Sequence, residues 1–185
     1  MGGRGKSLEV EHLYEEEIMF WKKWARPKKK PLKKVVISAG DGMNITAYDL
    51  AMRYVGIKEV PGTKDNPLLL SMLRLDNDWP KHDEVPWCSG FMNWIAWHLR
   101  LPRSKNLMAR SWLNVGKPVS LDQAATAFDV VILWRGDPEG VSGHVGLYAG
   151  RSNGKIKILG GNQNNAVTIS SYPENRLLGI RRLYG

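Results

Sequence analysis

The sequence predicts an α+β fold, with N-terminal helices packed on a C-terminal antiparallel β-sheet. Three observations carry this. Up to about Leu113, apolar residues recur at helical spacing. Beyond Lys117 they fall into short segments of strand character. Turn signals such as Ser152-Asn153-Gly154 and Pro173-Glu174-Asn175 close those segments.

Residues 1–43 read as a separate arm, and residues 44–185 as the body of the fold. The arm is glycine-rich, then acidic, then basic and aromatic, with Trp21 and Trp24 among the lysines and arginine of Lys22–Lys34. A helix over Leu8–Ala25 suits the acids at its start and the lysines at its end. Pro27 and Pro31 stop it, and Ser38–Gly42 reads as a linker. In the body, Thr46 caps a helix over Ala47–Val55 that Gly56 ends. Asn66-Pro67 opens a short helix to Leu73. The longest apolar segment is Trp87–Leu99, with Phe91, Trp94, Ile95 and Leu99 at helical spacing. A shorter helix is expected over Asn106–Leu113. The strands expected after it are Phe128–Trp134, His144–Ala149, Lys155–Leu159, Val167–Ser171 and Leu178–Leu183. Ser152-Asn153-Gly154 is a hairpin signal.

The composition narrows the chemistry. Of 185 residues, 43% are hydrophobic and 24% charged, a globular balance. Lys and Arg total 27 against 18 acids, a net charge of +9 that favours polyanionic surroundings. One cysteine excludes a disulfide framework, a four-cysteine zinc site and an iron–sulfur cluster. His12, His82 and His98 are too scattered for a zinc motif, so neither metal nor cofactor is expected. No apolar run approaches the roughly 18 residues of a membrane span, and no apolar signal core follows Met1–Lys6. The chain is therefore expected to be made in the cytoplasm and to reach any target outside it by release or delivery. No motif of specific nucleic-acid binding accompanies the charge.

Cys88 starts the longest helix, where unpaired amides stabilise a thiolate and an oxyanion. Alone, a single cysteine also reads as a small buried hydrophobe. His144 opens a strand in Ser142-Gly143-His144-Val145-Gly146-Leu147-Tyr148, where it can take a proton from a thiol; the alternative is an exposed loop histidine. Leu159-Gly160-Gly161-Asn162-Gln163 ends the next strand, where an amide can fix the imidazole tautomer; the alternative is a plain turn.

Trp-Cys-Ser-Gly-Phe, Gly-His-Val-Gly-Leu-Tyr and Leu-Gly-Gly-Asn-Gln, in this order, resemble the CHAP and NlpC-type cysteine peptidases and amidases. These are papain-like hydrolases of peptidoglycan, and the likeness is above all to a CHAP-like subgroup found in phages and bacteria. Ala51–Gly62, Ala109–Leu113 and Leu177–Arg182 support it, and it spans about Thr46 to Tyr184. One departure is Phe128-Asp129, where the family often has Gly-Asp. The resemblance implies a papain-like fold, with Cys88 as nucleophile, His144 as base, and Asn162 or Gln163 as third member, Asn162 preferred. It implies an endolysin-like enzyme cutting an amide of the stem peptide or crosslink. The alternatives are an N-acetylmuramoyl-L-alanine amidase, or a silent wall-binding or phage structural module.

Trp79, Trp87 and Trp112 are expected to line a groove for glycan or peptide, with Gln163 also facing substrate, whereas Trp94 and Trp97 read as packing residues. Asp76, Asp78, Asp83 and Glu84, in the loop before Cys88, can meet a substrate amine or simply face solvent. The Lys22–Lys34 arm is a solvated tail, a grip on anionic membrane or lipopolysaccharide, or a nonspecific nucleic-acid contact.

Overall fold

The computed structural model describes residues 45–60 and 64–184. The arm, its helix and Lys22–Lys34 lie outside them.

Thr46 and Asp49 form a reciprocal cap at the start of α1 (Ala47–Met52). Thr46 Oγ1 accepts from the Asp49 N–H (3.1 Å), and Asp49 Oδ2 accepts from the Thr46 N–H (2.9 Å). Ala47 and Ala51 are its buried face. α1 is shorter than expected because Tyr54 and Val55 donate three residues back, a tightening that ends at Gly56 (φ +94°). α2 (Pro67–Leu73) starts as read: Asn66 Oδ1 accepts the Leu68 N–H at 3.0 Å, and Pro67 occupies the first turn.

α3 (Cys88–His98) buries Phe91, Met92, Ile95 and Ala96. The helix expected over Asn106–Leu113 is a 3₁₀ turn at Ala109–Asn114. Asn106 Oδ1 takes the Met108 N–H at 2.8 Å, and that local turn holds residues 106–108 out of the helix.

The sheet has six strands, β1 (Lys117–Val119), β2 (Asp129–Trp134), β3 (Gly143–Ser152), β4 (Lys155–Gln163), β5 (Ala166–Pro173) and β6 (Leu177–Arg182). Their order is β1-β6-β2-β3-β4-β5, and every neighbouring pair is antiparallel. The α+β order read from the sequence is the one observed. β1 was not expected; it is a three-residue edge containing Pro118, which spares the edge a donor.

β2 carries Val130 and Ile132 in the cluster shared with α1–α3, and Val131 in a second cluster with Tyr148, Ile158 and Ile180. Burial on both faces explains its unbroken apolar run. Asp129, buried at the start of β2, accepts two bonds from Arg182 at the end of β6 (2.7 and 2.8 Å) and one from the Ala125 N–H (2.8 Å). Phe128 stacks on Tyr184 with ring centroids 5.3 Å apart, so the residue that departs from the family pattern packs the chain's last strand.

Two hairpins join β3, β4 and the edge strand β5 on one side of the sheet. Asn153 and Gly154 both have positive φ (51° and 67°), as do Asn164 and Asn165 (53° and 59°), the paired values a two-residue hairpin requires. Just before the second hairpin, the β4–β5 register shifts between Gly160 and Gln163. Gly160 pairs with Thr168 and Gln163 with Ala166, so Gly161 and Asn162 oppose Val167 alone. Asn162 occupies the left-handed position of this bulge (φ 56°).

Candidate active site

Three elements converge: the start of α3, the start of β3 and the end of β4. Cys88 is the first residue of α3, and Trp87 before it supplies no side-chain cap. The first-turn amides are therefore not taken by a capping side chain, and the N–H groups of Cys88 and Ser89 act on the thiol. The Val145 backbone amide, on the residue after His144, also acts to lower the thiol's pKa. Cys88 is buried, and that burial pushes its thiol up. The Val145 N–H, the Arg135 charge and the first-turn amides oppose the rise without reversing it.

His144 is buried as well. Its Nε2 lies 3.1 Å from Gln163 Oε1, and its Nδ1 has no hydrogen-bond partner. The Gln163 amide is fixed on both ends. Its NH₂ donates to the Thr168 and Gly160 carbonyls (2.5 and 3.2 Å), and its Oε1 also accepts from Tyr172 Oη–H at 2.8 Å. With the carbonyl end facing the ring, Nε2 carries the proton and Nδ1 carries the free lone pair. The Tyr172 ring sits beside the imidazole, centroids 5.2 Å apart. Burial pushes the Tyr172 phenol up, which keeps it a donor. Gly160 lies under the ring, where a Cβ would make ordinary van der Waals contact with Nε2 at 3.5 Å.

The side chain that meets the ring is Gln163, and the preference for Asn162 at that contact is corrected. The bulge gives Asn162 the left-handed backbone that Asn tolerates, and it sets Gln163 against the ring. Trp87 and Trp112 are corrected too: both are fully buried and line no groove. Trp87 packs under Gly161 and donates from Nε1 to Glu59 Oε1 (2.7 Å), and Trp112 donates from Nε1 to Ser89 Oγ (2.9 Å). They hold the start of α3 from both sides. Trp97 is exposed, not core, and stacks with Trp94 and His98 at the far end of α3. Asp83 is buried and accepts the Asn66 N–H (2.7 Å), and Asp76 pairs with Arg103, so both serve the scaffold. His82 pairs with Asp65.

A cleft of about 330 Å³ opens over Cys88, with Trp79, Met108 and Val141 on its rim and Arg135 on its wall. Sequence reading passed over Arg135, hidden in a turn signal, and over Tyr172, which no motif marks.

Two predictions follow from this geometry. Gln163→Ala is expected to lower kcat/KM by about 100-fold through loss of the tautomer. Asn162→Gly, which keeps the backbone conformation, is expected to stay within about twofold. Steady-state cleavage rates on the folded variants check both, and equal losses at the two positions would restore Asn162.

The second concerns pH. Burial lowers the His144 pKa from 6.5 to about 4, with Gln163 opposing and Arg135 adding to the drop. The unfolded chain thus binds a proton in this window that the folded chain refuses. Stability is full above about 6.5 and is lost as pH falls towards 4, by about 3 kcal/mol from this residue. Urea midpoints at pH 7 and pH 4 measure it, and His144→Gln is expected to lose less over the same interval.

No family model matches the chain, and no curated protein matches it. Solved structures similar to it include NlpC2 from Trichomonas vaginalis, at 20% identity and a TM-score of 0.46, covering 75% of this chain and 46% of that one. NlpC1 from the same organism shows 20% identity and a TM-score of 0.46, covering 75% and 43%. An NlpC/P60 family protein from Bacillus cereus ATCC 10987 shows 19% identity and a TM-score of 0.38, covering 53% and 32%. The chain spans less than half the length of each of these proteins.

Proposed function

We propose that the chain is a papain-like cysteine hydrolase that cleaves an amide bond in the stem peptide or crosslink of peptidoglycan, in an endolysin-like role. The observation that carries the chemistry is the His144–Gln163 bond, which turns the free lone pair to Nδ1 and leaves that atom unpartnered, while the backbone amide of the next residue, Val145, acts on the Cys88 thiol. The wall substrate rests on the motif resemblance around Cys88, His144 and Gln163.

In the free enzyme the thiol and the imidazole are both neutral, because burial raises one and lowers the other. The proton therefore moves as the bond forms. His144 Nδ1 takes it from Cys88 while Sγ attacks the amide carbon, and the contact between them closes as substrate enters. The carbonyl oxygen, now negative, is held by first-turn amides of α3. Gln163 Oε1 steadies the imidazolium, which then protonates the leaving amine. Water, deprotonated by His144, hydrolyses the thioester.

An N-acetylmuramoyl-L-alanine amidase would use the same groups with a different carbonyl over Cys88. A silent binding module has no use for the saturated Gln163 network. Digestion of purified peptidoglycan with the fragments identified by mass spectrometry is the test. New ends within the stem or crosslink are expected, and free stems beginning at L-alanine would mean the amidase. Walls of differing chemistry all left intact would overturn the hydrolase reading.

A further inference from the structure

Among the described residues, the cleft over Cys88 carries one charge and no carboxylate lines it. Trp79, Met108 and Val141 stand on its rim, 61%, 51% and 73% exposed, and Val85, Pro86 and Leu107 continue the apolar wall. The charge is Arg135, one residue past the end of β2, with its backbone N–H on the Ser142 carbonyl (3.3 Å). Arg103, Arg151 and Arg182 each hold a carboxylate, whereas Arg135 has none within ion-pair distance among the described residues. Arg135 is exposed, and its planar guanidinium fork fits a carboxylate bidentately.

We propose that Arg135 is the specificity residue of this cleft, taking a free carboxylate of the substrate and holding it beside the amide that Cys88 attacks. The preferred substrate is then a peptide with an unblocked carboxylate next to the scissile amide and an apolar portion against Trp79, Met108 and Val141. Arg135 lines the same cleft as Cys88, and its charge acts to lower the pKa of both Cys88 and His144. It works against an imidazolium in the empty site, and a bound carboxylate removes that penalty. Arg135 thus couples recognition to proton transfer.

The substrate assignment rests on the hydrolase reading; the anion site itself does not, and the experiment separates them. Cys88 is the only cysteine of the chain, so alkylation of the full-length protein reports on one atom. Iodoacetate and iodoacetamide react alike: the C–S bond forms, the C–I bond breaks, iodide leaves, and the thiol proton passes to solvent. Only iodoacetate carries a carboxylate. The ratio of the two rates at Cys88 is expected to fall about tenfold in Arg135→Gln and to recover largely in Arg135→Lys. It is also expected to fall in the wild type as salt rises from about 0.02 to about 0.5 M. A ratio within twofold of wild type in Arg135→Gln would overturn the anion site. A second arm uses matched synthetic peptides that differ only in carboxylate against carboxamide beside the cut amide. Wild type is expected to favour the carboxylate at least tenfold in kcat/KM and Arg135→Gln to level the pair; equal cutting by wild type overturns the specificity role. A shifted alkylation ratio in a protein that cuts no wall would keep the anion site and remove the hydrolase.

Discussion

Purified peptidoglycan incubated with Cys88→Ala is expected to release no new peptide ends, with His144→Ala lower than wild type by at least about 10³-fold and the double variant no worse than either single one. The reason is that neither residue works alone in this site. The thiol is buried and held neutral, and without a base its attack requires a thiolate that the surroundings disfavour. The imidazole has its lone pair on Nδ1, and without the thiol it has no proton to move. Groups that act as one unit lose nearly everything at the first deletion. Quantified fragments from the four proteins measure this. A Cys88→Ala rate within tenfold of wild type would end the nucleophile assignment, and additive losses would mean that the two act separately. Alanine in place of Cys88 removes one atom from a buried position, so folding is not the source of the loss.

Gly161→Ala is expected to be the most damaging small substitution in the sheet. A Cβ at Gly161 would lie 2.3 Å from Cζ3 and 2.6 Å from Cε3 of Trp87, and 2.9 Å from Cβ of Phe91. Trp87 has no way to yield: it is fully buried, and its Nε1 is tied to Glu59 at 2.7 Å. Overpacking of this kind costs about 3 kcal/mol, which lowers Tm by about 10 °C in a body of this size. Thermal and urea unfolding measure it. Activity is expected to fall further than stability, because Trp87 is the residue before Cys88 and a shift of its ring moves the thiol. A variant as stable as wild type would mean that α3 can lift from the sheet freely.

Much of the fold was legible because its boundaries carry their own chemistry. Thr46 and Asn66-Pro67 announce helix starts, and Asn153-Gly154 and Asn164-Asn165 announce two of the sheet's reversals. Lys117–Val119 was illegible, being three residues with a proline that becomes a strand only by pairing with β6. Cys88 and His144 were readable as chemical types at element starts. Asn162 against Gln163 was not, because a bulge reverses which residue faces inward, and a bulge depends on two strands. Trp87 and Trp112 show the same gap: a tryptophan's size is written in the sequence, but not whether its ring meets solvent or core. Arg135 gave no signal because its importance lies in what surrounds it.

The separation of the three groups along the chain has a consequence for how activity appears over time. β3 and β4 are joined by a two-residue turn and find each other locally. Cys88 reaches them only when α3, made much earlier, docks across the sheet through non-local contacts, which form late and slowly. Synthesis runs in the same order: Cys88 comes first, Gln163 well after it, and Thr168 and Tyr172, which fix the Gln163 amide, later still. On the proposed reading, the growing chain carries a thiol without its oriented base until β5 has closed on β4.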